Sequence, residues 1–345
     1  TATLTLDDSS NANPFSNVNT QSGYTLRSGT ITLNTPTGLG DNASTLTLQG
    51  GNLNLNMTGV GPGLPMVVGT RGATTGGIAV VVNGTGTAIT TDNNGVFGTG
   101  FTDVYFQFGN LTLGNSWFGA QPSTDQQNLR FAGAITGGNA AVFNVITPGN
   151  GRSVIDLSGV IQDTPSANAF ALNKQGGGTL RVSSGANTYT GGTNVLAGVL
   201  QISATSGNPL GTGPVIVTPN TALRLAAASS VGSASSVTVL STPYNFGILA
   251  LDGDFTPTGG AFTSASMASP FGGAVQIALP NFTGTLNMGA IGDGRQYLGA
   301  FAGVGQLNAG SQFLGTLTAG ADNRYRLGGG NTLWFAGADN VFTGA

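Results

Sequence analysis

Short triplets of apolar, polar and apolar residues recur along the chain, set between runs of glycine, asparagine, threonine and serine. Leu4-Thr5-Leu6, Ile31-Thr32-Leu33, Leu46-Thr47-Leu48 and Leu53-Asn54-Leu55 begin the series. Leu111-Thr112-Leu113, Ile155-Asp156-Leu157, Leu180-Arg181-Val182, Leu200-Gln201-Ile202, Leu223-Arg224-Leu225 and Leu333-Trp334-Phe335 continue it. Alternation with period two predicts short strands, each with one buried and one exposed face. The 3.6-residue spacing of an amphipathic helix is nowhere sustained. Residues 226–237 are rich in small side chains but broken by Gly232, and read as loop.

The spacing of the triplets selects the fold. Leu180 and Leu200 are 20 residues apart, and Leu200 and Leu223 are 23 apart, with Val215-Ile216-Val217 between the last two. A repeat of that length holding two or three small strands predicts the turns of an all-β solenoid, each stacked on the last at about 4.8 Å. A coil of that size predicts roughly 14 to 17 turns. The first and third residues of a triplet line the interior, and the 59 glycines supply corners where a Cβ does not fit. No linker divides the chain, so a single solenoid is expected over 1–345. Glycine collects in 60–103 and aromatic residues in 97–118, while the irregular stretch 252–285 is expected to protrude as a loop.

Composition narrows the chemistry. The chain has 10 Lys or Arg and 13 acidic residues, all of them Asp, and lacks Glu, His and Cys. Disulfides, thiol nucleophiles, Cys/His zinc sites and histidine or glutamate acid–base catalysis are thereby excluded. A net charge of -3 and scattered arginines exclude a nucleic-acid partner. No apolar run is long enough for a transmembrane helix. The chain opens on Thr1 without a basic, apolar leader, which predicts a piece of a longer precursor whose targeting signal lies elsewhere.

One stretch, 172–213, is more specific. It reads LNKQGGGTLRVSSGANTYTGGTNVLAGVLQISATSGNPLGTG. With Leu172, Lys174, Gly176 to Leu180, Gly185 to Gly192, Val195, Ala197-Gly198 and Leu200, it resembles the autotransporter-associated strand repeat. That family occurs in passenger domains of autotransporters and in other large exported bacterial proteins. The resemblance implies a right-handed parallel β-helix, secretion to the extracellular space or cell surface, and a stalk-like or adhesive role. It describes a scaffold rather than an activity. Gly185, Asn187, Tyr189, Gly191 and Gly192 form the expected corner between Val182 and Val195, with Tyr189 as its plug. Asn340, Phe342 and Gly344 repeat the corner's order, with Phe342 in the place of Tyr189.

Candidate chemistry beyond the scaffold is thin. A polysaccharide-cleaving enzyme requires two carboxylates on one cleft, and the aspartates are spread singly, so no enzyme is expected and no cofactor is implied. Asp92 with Asn94, and Asp252 with Asp254, are the candidate positions for a structural calcium ion, although a turn is the better reading of both. Tyr105, Trp117 and Trp334 are candidate partner-binding residues, because alternation turns Tyr105 and Trp334 outward on an uncharged surface. Such a surface suits another protein or a glycan. Open strand edges at the ends of a solenoid demand capping or coupling to neighbours. Other copies of the chain, or other surface proteins, are therefore the expected partners, in a fibre, surface layer or stalk.

Overall fold

The computed structural model describes residues 3–6, 23–35, 38–39, 44–56, 66–69, 76–84, 87–91, 104–121, 127–145, 154–164, 169–257, 273–301, 310–328, 330–336 and 342–343. The fold is an all-β, right-handed parallel β-helix. Two compact units divide the chain, Thr1–Ser184 and Gly185–Ala345. Their boundary falls inside the glycine-rich repeat, where composition does not change.

The first unit stacks three parallel ladders. One contains Thr3–Leu6, Thr30–Leu33, Asn52–Leu55, Thr87–Thr91, Trp117–Gln121, Val142–Val145 and Leu172–Gln175. A second contains Gly23–Leu26, Thr45–Leu48, Ala79–Val82, Leu111–Leu113, Ile135–Gly137 and Ile161–Asp163. The third contains Met66–Val67, Val104–Phe108, Gln127–Phe131, Val154–Leu157 and Thr179–Val182. Register is set by apolar residues meeting their equivalents one turn away: Leu33 opposes Leu55, Leu48 opposes Val82, and Phe131 opposes Leu157. All six are fully buried. Each contributes about 1.5–3 kcal/mol of burial, which offsets the entropy of a glycine-rich backbone. Aromatic rings fill part of this core: Phe108 stacks on Phe131 at 5.5 Å, and Phe118 meets Phe131 edge-on at 5.7 Å.

The second unit begins with two ladders. Thr193–Val195, Val215–Val217 and Val237–Val239 form one. Val199–Ile202, Ala222–Leu225, Ile248–Leu251, Ala274–Ile277 and Tyr297–Ala300 form the other. Beyond Ala274 each turn gains two further short strands, in the ladders Asn281–Phe282, Ser311–Phe313, Leu333–Phe335 and Thr285–Asn287, Thr316–Thr318, Phe342–Thr343. Phe282, Phe313 and Phe335 stack through these turns at 5.1 and 5.7 Å.

Three expectations are corrected. Among the described residues the ladders stack seven turns in the first unit and at least five in the second, against the 14 to 17 expected. Turns are longer than the triplet spacing implied: Leu55 and Thr91, 36 residues apart, are direct neighbours in one ladder. Within 252–285, Ala274–Ile277 is a buried strand and not part of a loop; residues 258–272 lie outside those described. Residues 226–237 include a short 3-10 helix, Ala228–Val231, and the first residue of a strand, Val237–Val239.

Candidate functional site

The corner opening the second unit is built around its tyrosine. Tyr189 is fully buried, and its hydroxyl lies 2.7 Å from the Thr193 Oγ1. Burial pushes its phenol above the ordinary range, so the ring stays neutral. Asn187, also buried, donates its Nδ2 to the Pro209 carbonyl of the next turn at 2.8 Å. Gly192 adopts φ +86°, and a Cβ there would stand 2.7 Å from the Pro214 carbonyl oxygen, so only glycine is accommodated. Gly185 and Gly191 are half-buried in the same corner. Phe342, expected to mirror Tyr189, instead lies on a strand paired with Thr316–Thr318, partly exposed, with its ring edge-on to Tyr325 at 4.9 Å. Asn340 and Gly344 lie outside the described residues.

Lys174 was part of the repeat's pattern, but its environment was not foreseen. Its register partner is Phe143, an interior residue, and its own side chain is fully buried. Nζ donates to the carbonyls of Gln175 at 2.8 Å and Gly176 at 2.6 Å. Burial lowers its pKa to about 7. The chemical use of this arrangement is to satisfy a turn from inside the core.

On the outer face of the first unit's third ladder, alternation points Tyr105 outward, yet its ring is only 6% exposed. The Arg130 guanidinium lies 3.8 Å above the ring centroid and covers it, which removes Tyr105 as an open stacking surface. Asp156, which the triplet pattern turned toward water, is buried: it accepts from Arg130 Nε at 3.1 Å and from the Ser183 hydroxyl at 2.6 Å. Gln107, Arg130, Asp156 and Arg181 are register neighbours on four successive turns. The triplets placed Asp156 and Arg181 singly on the outer face; the alignment of the four depends on turn length, which the triplets alone do not specify.

The remaining candidates do not converge. Trp117 is half-buried, with its ring lying over Gly119. Trp334 is 54% exposed and stands in register with Gln312, which in turn aligns with Asn281. Asp252 accepts from Arg224 Nη2 at 2.7 Å and Gln201 Nε2 at 3.1 Å, whereas Asp254 accepts from the backbone N–H of Thr283 at 2.9 Å. The two carboxylates thus serve separate partners instead of sharing a pocket. Asp92 and Asn94 lie outside the described residues. Among the described residues no group of three metal-ligating side chains occurs, and no helix is long and apolar enough to cross a membrane.

Residues 172–202 match the family described as passenger-associated-transport-repeat. That stretch holds Lys174 and the Tyr189 corner, so the match is carried by the residues whose packing is described above. It is consistent with a protein resembling an autotransporter passenger domain, and it points to an extracellular or cell-surface context only through that short region. No curated protein and no solved structure matches the chain.

Proposed function

We propose that the protein is a structural component of an exported bacterial surface assembly and associates with further copies of itself. The observation that carries this reading is a set of exposed apolar side chains, Leu196, Leu240 and Tyr244, in stretches of the second unit's sequence that carry no charge. Thr218 and Leu240 follow their strands in the same ladder, each N–H bonding to the turn before, at Val195 and Val217. Leu196, Thr218 and Leu240 therefore line up, and both leucines are 42% exposed. Next to them Ser241 and Phe246 close a tight turn that carries Tyr244, 91% exposed. No charged residue occurs between Arg181 and Arg224 or between Arg224 and Asp252. Rigid aromatic and aliphatic side chains without charges are what the core of a protein interface uses.

In this reading the role is scaffolding: among the described residues Asp156, Asp252, Asp254 and Asp322 are each tied to a separate partner instead of being paired as acid–base work requires. Sedimentation velocity over a range of concentrations tests the reading. Wild type is expected to form larger species, and Leu240→Ser with Tyr244→Ser to remain monomeric. Monomers at every concentration, or assembly unchanged in the variant, would contradict it. A second reading, adhesion to a glycan, is favoured by Trp334 above the amides of Gln312 and Asn281, since a flat ring beside amides suits a sugar face.

A further inference from the structure

Trp334 presents an open ring where Tyr105 and Trp117 do not. Tyr105 is covered by Arg130, and Trp117 lies half-buried over Gly119, whereas Trp334 is 54% exposed. Its direction follows from its neighbour: Phe335 packs on Phe313 inside the coil at 5.7 Å, so the residue before it faces out. One and two turns back, Gln312 and Asn281 occupy the same outward column. Asn281 is exposed and Gln312 half-buried. Among the described residues, neither side-chain amide has a hydrogen-bond partner, and nor does the Trp334 indole N–H.

The three side chains form a row along the ladder. Each step is about 4.8 Å, so the row spans about 10 Å from Asn281 to Trp334. Its surroundings are small or uncharged: Gly310 and Leu314 flank the strand of Gln312, and Thr332 and Ala336 flank that of Trp334. The exposed carboxylate of Asp254 accepts from the Thr283 N–H at 2.9 Å, two residues from Asn281, and disfavours an anionic ligand at that end. A ring followed by open amide donors and acceptors in line matches a ligand with a flat apolar face and regularly spaced hydroxyls.

We propose that this row binds a neutral, ribbon-shaped polysaccharide lying along the ladder. One sugar ring stacks on Trp334, and the hydroxyls beyond it bond to Gln312 and Asn281. The assignment rests on the reading of Trp334 as a glycan contact, and adds the class of sugar and its direction. In an equatorially linked glucan the rings form a flat ribbon that advances by a distance close to one ladder step per sugar. An axially linked glucan coils, and cannot meet the ring and both amides together.

Calorimetric titration of the full chain with glucose, cellobiose, cellotetraose and maltotetraose tests the assignment. Cellotetraose is expected to bind at least about tenfold more tightly than glucose, with cellobiose between them and maltotetraose no better than glucose. Salt should leave the affinity unchanged, because the ligand is neutral. Trp334→Ala should weaken cellotetraose about tenfold and Gln312→Ala about threefold, both with wild-type circular dichroism. Trp334→Phe, which keeps a ring, should fall between wild type and Trp334→Ala. Equal affinity for glucose and cellotetraose, or for the two tetrasaccharides, would overturn the ribbon and leave the glycan contact standing. Binding of none of the four, or unchanged affinity in Trp334→Ala, would overturn the site and the glycan reading with it.

Discussion

Lys174 is an ionisable group at an interior position of a parallel ladder, held by the carbonyls of Gln175 and Gly176. In the unfolded chain it titrates at 10.5 and in the folded one at about 7. Between those values the unfolded chain keeps a proton that the folded chain has lost, so stability rises with pH across this window. Below about 7 both states are protonated and the whole cost of burying the charge is present. Tyr189 has the opposite effect above the ordinary phenol value of 10.0, where the unfolded phenol ionises and the buried one does not. The urea midpoint is therefore expected to climb from pH 7 to about 9.5 and then flatten or turn. Lys174→Met should remove the climb; a flat wild-type profile would contradict the assignment. Gly192 is a backbone constraint of another kind. With φ +86° and the Pro214 carbonyl oxygen 2.7 Å from any Cβ, Gly192→Ala should cost about 1–2 kcal/mol or more in denaturant unfolding.

At the scale of the strand, the interior depends on stacking between equivalent positions. Phe131 touches Phe108 one turn back and Phe118 on another ladder. Phe131→Ala should cost about 3–5 kcal/mol, whereas truncating an outward, half-buried residue such as Gln201 should cost under about 1 kcal/mol. Equal losses at the two positions would mean that the inside and outside of the coil are misassigned. The inward and outward faces of most strands were legible in the sequence, because period-two alternation is local: Leu223 and Leu225 are buried while Arg224 reaches outward. The Tyr189 corner was legible too, since glycines and one large ring leave few alternatives. Tyr105 shows where legibility stopped. Its outward direction follows from its own strand, but its cover comes from Arg130, 25 residues later, and that depends on the length of an intervening turn. The same holds for Asp156, whose partners Arg130 and Ser183 lie 26 and 27 residues away. Turn length was illegible for the same reason, since paired ladder positions lie from 22 residues apart for Leu33 and Leu55 to 40 for Val67 and Gln107.

For the whole molecule, low charge and parallel stacking belong together. Columns of like charges repeated every 4.8 Å or so would repel along the axis, and the outward positions mostly carry threonine, asparagine, glutamine and alanine instead. Arginine enters the third ladder of the first unit only where Asp156 separates Arg130 from Arg181. Such surfaces gain solubility from hydroxyls and amides and repel a second copy weakly, which favours a building block over a freely diffusing enzyme. Electron microscopy of the native protein on its cell surface tests this central claim most directly. The account predicts fibres or a lattice in which the Leu196, Leu240 and Tyr244 surface is buried between neighbouring copies. Isolated, well-dispersed molecules with that surface open to solvent would contradict it.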